Sequence, residues 1–290
     1  MRTTSLAAAV ALLIIGCGSD PVPTAPEDPG LTVPEPELSV SDAAFVTATA
    51  TTNVWTTRAP MPTARTGLAV GVVNGVLYAV GGTKDAITML TAVQAYDPGS
   101  NSWVTRAPLP SGRAYLNGTG TINGVLYVAG GGDSSGVTKT LFGYSPSTNT
   151  WTTKAPMLKA GGCGATGVIG GKLYVYSACE RSAAAFQRYD PATNSWKMLS
   201  APASPHVFPV SGVINGKFYL AGSGEDGAAS AIMEVYDPAT NAWTERPPML
   251  TRRYAAAATV INGLLYVVGG SGGYTPVATS EVYDPGSATW

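Results

Sequence analysis

One histidine, His206, stands in 290 residues. Zinc catalysis with several imidazole ligands is excluded on that count. A Ser-His-Asp triad would have to use His206, and no nucleophile-elbow motif supports one. Charge is equally sparse: 12% of residues are charged, the net charge is −1, and no Lys or Arg falls between Arg2 and Arg58. Without a basic stripe the chain has no nucleic-acid footprint, and no nucleic-acid partner is expected. The acidic residues show no spaced D-x-D-x-D loop, so no calcium site is expected either, and neither metal nor other cofactor is implied.

Glycine (35) and proline (22) are abundant and 45% of the chain is apolar, which favours many turns around a sizeable core over long helices. Arg2 followed by the ten apolar residues Leu6–Ile15 reads as a signal peptide too short to anchor in a bilayer. Ile14-Ile15-Gly16-Cys17 resembles the lipobox of bacterial lipoproteins, which implies cleavage after residue 16 and lipidation of Cys17; the alternative is an ordinary cleaved signal with an incidental cysteine. Gly18 after the cysteine favours the outer membrane or cell surface, with the periplasmic side as the alternative. Residues 17–50 carry six prolines and an acidic excess, and read as an extended, solvated tether. The expected organisation is therefore signal peptide 1–16, lipidated cysteine and disordered linker 17–50, and a folded unit 51–290.

That folded unit repeats. NGVLYAVGG (74–82), NGVLYVAGG (123–131), GGKLYVYSA (170–178), NGKFYLAGS (215–223) and NGLLYVVGG (262–270) follow one another at 45–49 residues. A Tyr-Asp-Pro or Tyr-Ser-Pro triplet keeps the same beat at Tyr96, Tyr144, Tyr189, Tyr236 and Tyr283. Tryptophans then follow at Trp103, Trp151, Trp196, Trp243 and Trp290, with one extra, Trp55, ahead of the first copy. Each unit parses into four short antiparallel strands, A to D. Asn-Gly makes the A–B hairpin, because both of its positions want positive φ. Proline ends strand C and tryptophan opens strand D. The glycine pair ending strand B leads to another strand in every copy, not to a helix, so it is not a phosphate loop. Repeats of this length, arranged radially, build a β-propeller.

The diglycine, the tyrosine and the tryptophan at this spacing resemble the kelch repeat from Trp55 to Trp290. The resemblance implies an all-β, kelch-type β-propeller, here with five four-stranded blades, and it implies no single activity. In many kelch propellers an N-terminal strand completes the last blade, and Trp55–Ala59 is expected to do so here. Trp290 competes for the same place. The alternative is a six-bladed propeller of which this chain carries part.

Candidate site residues are those left once the repeat is subtracted, on the D–A and B–C loops. Kelch propellers commonly bind through these loops around the central channel. At the start of strand A stand Arg65, Arg113, Gly161, His206 and Arg253, which could line the channel and attract carboxylates. The competing reading pairs them with the periodic Gln94, Gln187, Glu234 and Glu281 on strand C. Tyr115, Phe208, Tyr254 and Tyr274 are aromatics that could stack on a sugar or peptide, or simply plug the channel. The loops after strand B add Asp85, Asp133, Glu180, Arg181, Glu225 and Asp226.

Cys163 and Cys179 remain once Cys17 is assigned. A two-residue turn at Gly170-Gly171 sets residue 163 opposite residue 178, and a bulge in either strand would bring the two cysteines face to face. A disulfide there would close a loop of about 17 residues and stabilise by about 3 kcal/mol in the chain-entropy model; two buried free thiols are the alternative.

The reading is a lipid-anchored cell-envelope binding module for a saccharide or a protein. It touches the membrane only through Cys17, it is monomeric, and it has no assigned catalytic residue. Two alternatives stand beside it. One is a periplasmic carbohydrate-active enzyme like the sialic-acid mutarotase among kelch proteins, using Arg113 or Arg253 with Glu180 or Glu225. The other is a structural envelope protein. Kelch-like copper oxidases are excluded, since they need two histidines.

Overall fold

The structure is a computed structural model that describes residues 55–179, 184–225 and 228–290. The expected signal peptide, Cys17 and the expected tether all fall outside the described residues.

The first blade consists of β1 (Ala69–Val73), β2 (Val76–Val80), β3 (Val93–Asp97) and β4 (Ser102–Thr105). The second is β5 (Gly118–Ile122), β6 (Val125–Ala129), β9 (Leu141–Ser145) and β10 (Thr150–Thr153), with a small loop ladder of β7 (Gly132–Asp133) and β8 (Gly136–Val137) between them. The third holds β11 (Ala165–Ile169), β12 (Lys172–Ser177), β13 (Ala185–Asp190) and β14 (Ser195–Leu199); the fourth holds β15 (Val210–Ile214), β16 (Lys217–Glu225), β17 (Ala228–Asp237) and β18 (Ala242–Arg246). The fifth has β19 (Ala257–Ile261), β20 (Leu264–Val268) and β21 (Ser280–Tyr283), with Trp290 where its fourth strand begins. All pairings are antiparallel, and the protein is a five-bladed β-propeller.

Two turns set this architecture. Val73 faces Val76 across Asn74 (φ 51°) and Gly75 (φ 80°), a two-residue hairpin with both central residues left-handed. At the other turn on the same face of the propeller, Asp97 Oδ1 accepts the Gly99 N–H at 2.9 Å, and Asn101 takes φ 50°. That asparagine also ties the blades together. Its Oδ1 accepts the Tyr96 hydroxyl at 2.8 Å and the Ala59 N–H at 2.9 Å, while the Trp103 indole N–H donates to the Ala59 carbonyl at 2.9 Å. The same pair of bonds joins Ala107 to Asn149 and Trp151, Ala155 to Asn194 and Trp196, and Ser200 to Asn241 and Trp243. At the next junction Pro247 has no N–H and Ala288 has no side-chain amide, so only the Trp290 bond to the Pro247 carbonyl, at 2.8 Å, remains.

The core lies between blades. Gly71, Gly120, Gly167 and Gly212 on the innermost strands leave notches, and Leu126, Leu173, Phe218 and Leu265 of the following blade fill them, each 0% exposed. Burying such a side chain contributes about 1.5–3 kcal/mol. Tyrosines pair across the same junctions: Tyr78 with Tyr144, Tyr127 with Tyr189, Tyr174 with Tyr236 and Tyr219 with Tyr283, at 5.6–6.1 Å between ring centroids.

The expected closure by Trp55–Ala59 does not occur. Trp290 stacks on Tyr283 at 5.2 Å, just as Trp103 stacks on Tyr96 at 5.1 Å, and so owns the outermost place in the fifth blade. Trp55 is 66% exposed and pairs with no described strand. A tyrosine at the right spacing is what an outermost-strand tryptophan packs on; Trp290 has one and Trp55 does not.

Candidate functional site

The innermost strands point their starting ends at the face where the D–A and B–C loops gather. The basic row at these ends turns away from the axis and into the blades. Arg65 (5% exposed) donates to Gln94 Oε1 at 2.6 Å and to the Ala79 carbonyl at 3.0 Å, and its burial lowers its pKa. Arg253 (0% exposed) donates to the Gly269 and Thr279 carbonyls, to Thr279 Oγ1 and to Glu281. His206, also 0% exposed, sets Nδ1 2.9 Å from the Gly222 carbonyl and Nε2 3.0 Å from Glu234 Oε2. Burial works to raise the Glu234 carboxyl, but the His206 hydrogen bond and the Ala203 and Ser204 N–H groups outweigh it, and its pKa is lowered. Gly161 has no side chain to offer, and Gln187 instead bonds both backbone groups of Lys159. Arg65, His206 and Arg253 are in-blade clasps to strand C, turned away from the channel.

Arg113 departs from that pattern. Phe142 holds the strand-C place of its partner, with the guanidinium 6.0 Å from the ring centroid. Arg113 therefore reaches the loop face and pairs with Asp133 at 3.0 Å. Hydrogen bonds from Ser135, with the charge of Arg113 adding to them, lower the Asp133 pKa.

The axis itself is crossed by another row, two residues after the basic one: Gly67, Tyr115, Cys163, Phe208 and Ala255. All five are left-handed, with φ between 50° and 61°. Each of the last four donates its N–H to the carbonyl of the one before, at 2.7–2.9 Å, so a chain of backbone bonds runs from blade to blade. Tyr115 and Phe208, from the second and fourth blades, meet edge-to-face with centroids 6.2 Å apart, and both are half-buried. Between them on the ring sits Cys163, bonded to Cys179 with the Cα atoms 4.8 Å apart. The left-handed turn at Cys163 absorbs the one-residue offset that the hairpin register leaves.

This third blade is the odd one. Ser177 continues β12 where the other blades bend at a positive-φ glycine. Asn117 Oδ1 and Ser177 Oγ, both buried beside Gly161–Gly164, have no hydrogen-bond partner. Their only sequence signal is that each replaces an apolar or glycine residue of the repeat.

The remaining candidates scatter. Asp85 folds back on its own loop: the backbone N–H groups of Thr88 and Ile87 and the Thr88 hydroxyl hold its carboxyl down at about 2. Tyr254 donates to the Gly273 carbonyl at 3.0 Å and covers Gly224, while Tyr274 is 91% exposed. Glu225 ends β16. Glu180, Arg181 and Asp226 lie outside the described residues.

A radial array of antiparallel sheets, tied through a repeated Tyr-Asn-Trp junction and presenting loops at one end, defines a repeat propeller. The kelch motif matches residues 64–110, 113–158, 205–250 and 252–290, and the chain belongs to the kelch-repeat family. The motif passes over the third blade, which the structure nonetheless builds in full. No curated protein matches the chain. Among solved structures it is similar to one titled "Structure of YjhT", at 20% identity and a TM-score of 0.68, over 79% of this chain and 84% of that one. That likeness concerns the fold.

Proposed function

We propose that the protein is a lipid-anchored cell-envelope binding module that takes a saccharide ring or a peptide side chain on the aromatic pair at its loop face. The observation that supports this is the Tyr115–Phe208 pair. Two half-buried rings from non-adjacent blades are held at the axis on left-handed backbone, a conformation that bulky residues seldom adopt and that costs on the order of 1–3 kcal/mol each. Ring faces with the Tyr115 hydroxyl at their edge suit a ligand that is apolar on one side and polar on the other. The in-blade clasps speak against catalysis by Arg253, which is closed to solvent.

Glycine is the discriminating substitution, because it removes the ring and relieves the backbone together. Tyr115→Gly and Phe208→Gly are expected to keep or raise the melting temperature and to weaken ligand binding at least tenfold. The measurement is isothermal titration against a panel of acidic and neutral oligosaccharides and, separately, aromatic-bearing peptides. Binding to either panel that survives both substitutions would move the site elsewhere. Anchoring is tested in the cell: wild type should incorporate labelled palmitate and sediment with membranes, and Cys17→Ser should do neither. Equal membrane recovery of the two would remove lipidation from the proposal.

A further inference from the structure

The fourth blade departs from the repeat at one position. Where the first, second and fifth blades carry Arg65, Arg113 and Arg253, it carries His206, the single histidine of the chain. The residue is 0% exposed, and both of its ring nitrogens face acceptors: Nδ1 the Gly222 carbonyl and Nε2 the Glu234 carboxylate. A carbonyl cannot donate. Neither can Glu234 while it is ionised: burial works to raise its carboxyl, but the His206, Ala203 and Ser204 hydrogen bonds outweigh burial and lower it. Both bonds therefore form only when the ring carries a proton on each nitrogen. A neutral ring turns one lone pair onto an acceptor at 2.9 or 3.0 Å, in a site closed to water. A guanidinium keeps its charge at any pH the protein meets, and an imidazole does not.

That exchangeable proton sits two residues from the axis. Glu234, which holds the ring, also accepts the Ala203 and Ser204 N–H groups at 2.9 and 3.2 Å. The His206 N–H donates to the Tyr176 hydroxyl at 2.9 Å. The Val207 N–H donates to Ser223 Oγ and its carbonyl accepts the Gly224 N–H, each at 2.9 Å. Phe208 follows, at φ 50°. Residues 203–208 thus hang on the Glu234–His206 pair at one end and on the axis path at the other. A left-handed phenylalanine persists only while its surroundings over-determine it, so loosening one end lets the other relax. Among the described residues, the titratable groups facing the ring are Glu234 from β17 and Tyr176 from β12, while β16 faces it with the Gly222 carbonyl. Burial pushes the Tyr176 hydroxyl up to about 12, so it keeps its proton while the imidazole gives one up.

We propose that His206 is a positioning residue through which protons govern the Phe208 half of the aromatic pair. With both ring nitrogens protonated, the clasp locks residues 203–208 and Phe208 stands against Tyr115. Loss of one ring proton to water breaks one of the two bonds and loosens the segment. The loop-face surface is therefore firm at lower pH and slack at higher pH, and the change reverses when the proton returns. The consequence for binding rests on the reading of Tyr115 and Phe208 as the ligand surface: affinity should fall as the ring deprotonates. The clasps of the first and fifth blades, built on arginine, carry no such dependence.

A single histidine makes the test direct. In NMR of the chain with isotope-labelled histidine, one pair of ring signals reports both nitrogens across the pH range in which the protein stays folded. With rising pH they are expected to pass from two protonated nitrogens to one. Over the same transition the hydrogen-exchange rate of the Phe208 amide, divided by that of the Tyr115 amide to cancel the intrinsic effect of pH, should rise at least about tenfold, the effect of losing one charge-assisted hydrogen bond. His206→Arg restores the residue of the other blades and should keep that ratio low and flat. His206→Gln has no proton to lose and should hold it high and flat. A ring that never changes its proton count, a ring titration that leaves the ratio flat, or a pH dependence that survives in His206→Gln overturns the proposal. If His206→Arg does not fold, the wild type and His206→Gln decide. None of these readouts uses a ligand, so their failure leaves the aromatic site standing, and a failure of ligand binding leaves the clasp standing.

Discussion

Arg253→Ala should lower stability by about 3–5 kcal/mol, the usual consequence of removing one partner from a buried ion pair. The guanidinium is 0% exposed and donates to three carbonyls, a hydroxyl and the Glu281 carboxylate at once. Alanine leaves Glu281, itself 8% exposed, with the Leu250 N–H at 2.9 Å as its remaining donor. At about 2–4 °C per kcal/mol for a folded unit of this size, the melting temperature should fall by roughly 10 °C in calorimetry. Arg253→Met with Glu281→Gln should recover much of the loss, because no uncompensated charge then stays buried. Arg253→Lys should not, since one ammonium cannot reach the forked set of acceptors. The matched control is Arg113→Ala. Its carboxylate partner Asp133 has a side chain 27% exposed, so water takes over the lost contact and the expected loss is about 1 kcal/mol. If the two substitutions cost the same, the clasp reading of Arg253 is wrong.

Gly167→Val should be about as damaging, by overpacking and not by loss of a bond. A Cβ at Gly167 would lie 2.7 Å from Phe218 Cδ2 and 2.7 Å from Val213 Cγ2, inside the junction of the third and fourth blades. Phe218 is 0% exposed and closely surrounded by Phe186 and Trp243, so it has nowhere to retreat. Overpacking of a tight core costs about 1–3 kcal/mol and at times more, and two branch methyls at such distances put this case at the upper end. Phe218→Ala in the same chain should give back part of that cost, so the pair should be strongly non-additive in a double-mutant cycle by urea unfolding. Thr259→Gly, the reverse change at the equivalent position of the fifth blade, should shift stability by under about 1 kcal/mol, the entropic penalty of a strand glycine. Additive behaviour of Gly167→Val and Phe218→Ala would mean that the notch does not couple the blades.

The blades were legible in the sequence because their turns demand particular residues. Asn74-Gly75 and its repeats sit at backbone angles that few other pairs reach, and the Tyr-Asn-Trp junction needs those side chains for its bonds. The basic row was legible only as a choice between two readings. Arg65 and Arg253 could face the axis or their own strand C, and which way a long side chain turns depends on packing that spacing does not encode. Trp55 was misplaced for a related reason. A tryptophan followed by Thr-Thr-Arg-Ala satisfies the local pattern of an outermost strand, yet ownership of a blade is decided by Tyr283 and Pro247, which sequence order alone does not rank. The Tyr115–Phe208 contact was out of reach altogether: the two rings are separated by the whole third blade and meet only because five left-handed residues bring successive blades to one axis.

The backbone chain across that axis has a polarity. Tyr115, Cys163, Phe208 and Ala255 each hand a proton-bearing N–H backwards to the preceding blade, so the peptide dipoles point the same way around the ring. A circle of such bonds has no first member. Here Gly67 only receives and Ala255 only gives, which makes the ring a directed path with a start and a finish. Any unit joining it must enter in the same sense, receiving from Gly67 and giving to Ala255. A sheet presented with its strands reversed would bring N–H to N–H at Gly67 and carbonyl to carbonyl at Ala255. The axis thus acts as a polarity filter at the centre of the propeller, independent of the side chains that fill its blades.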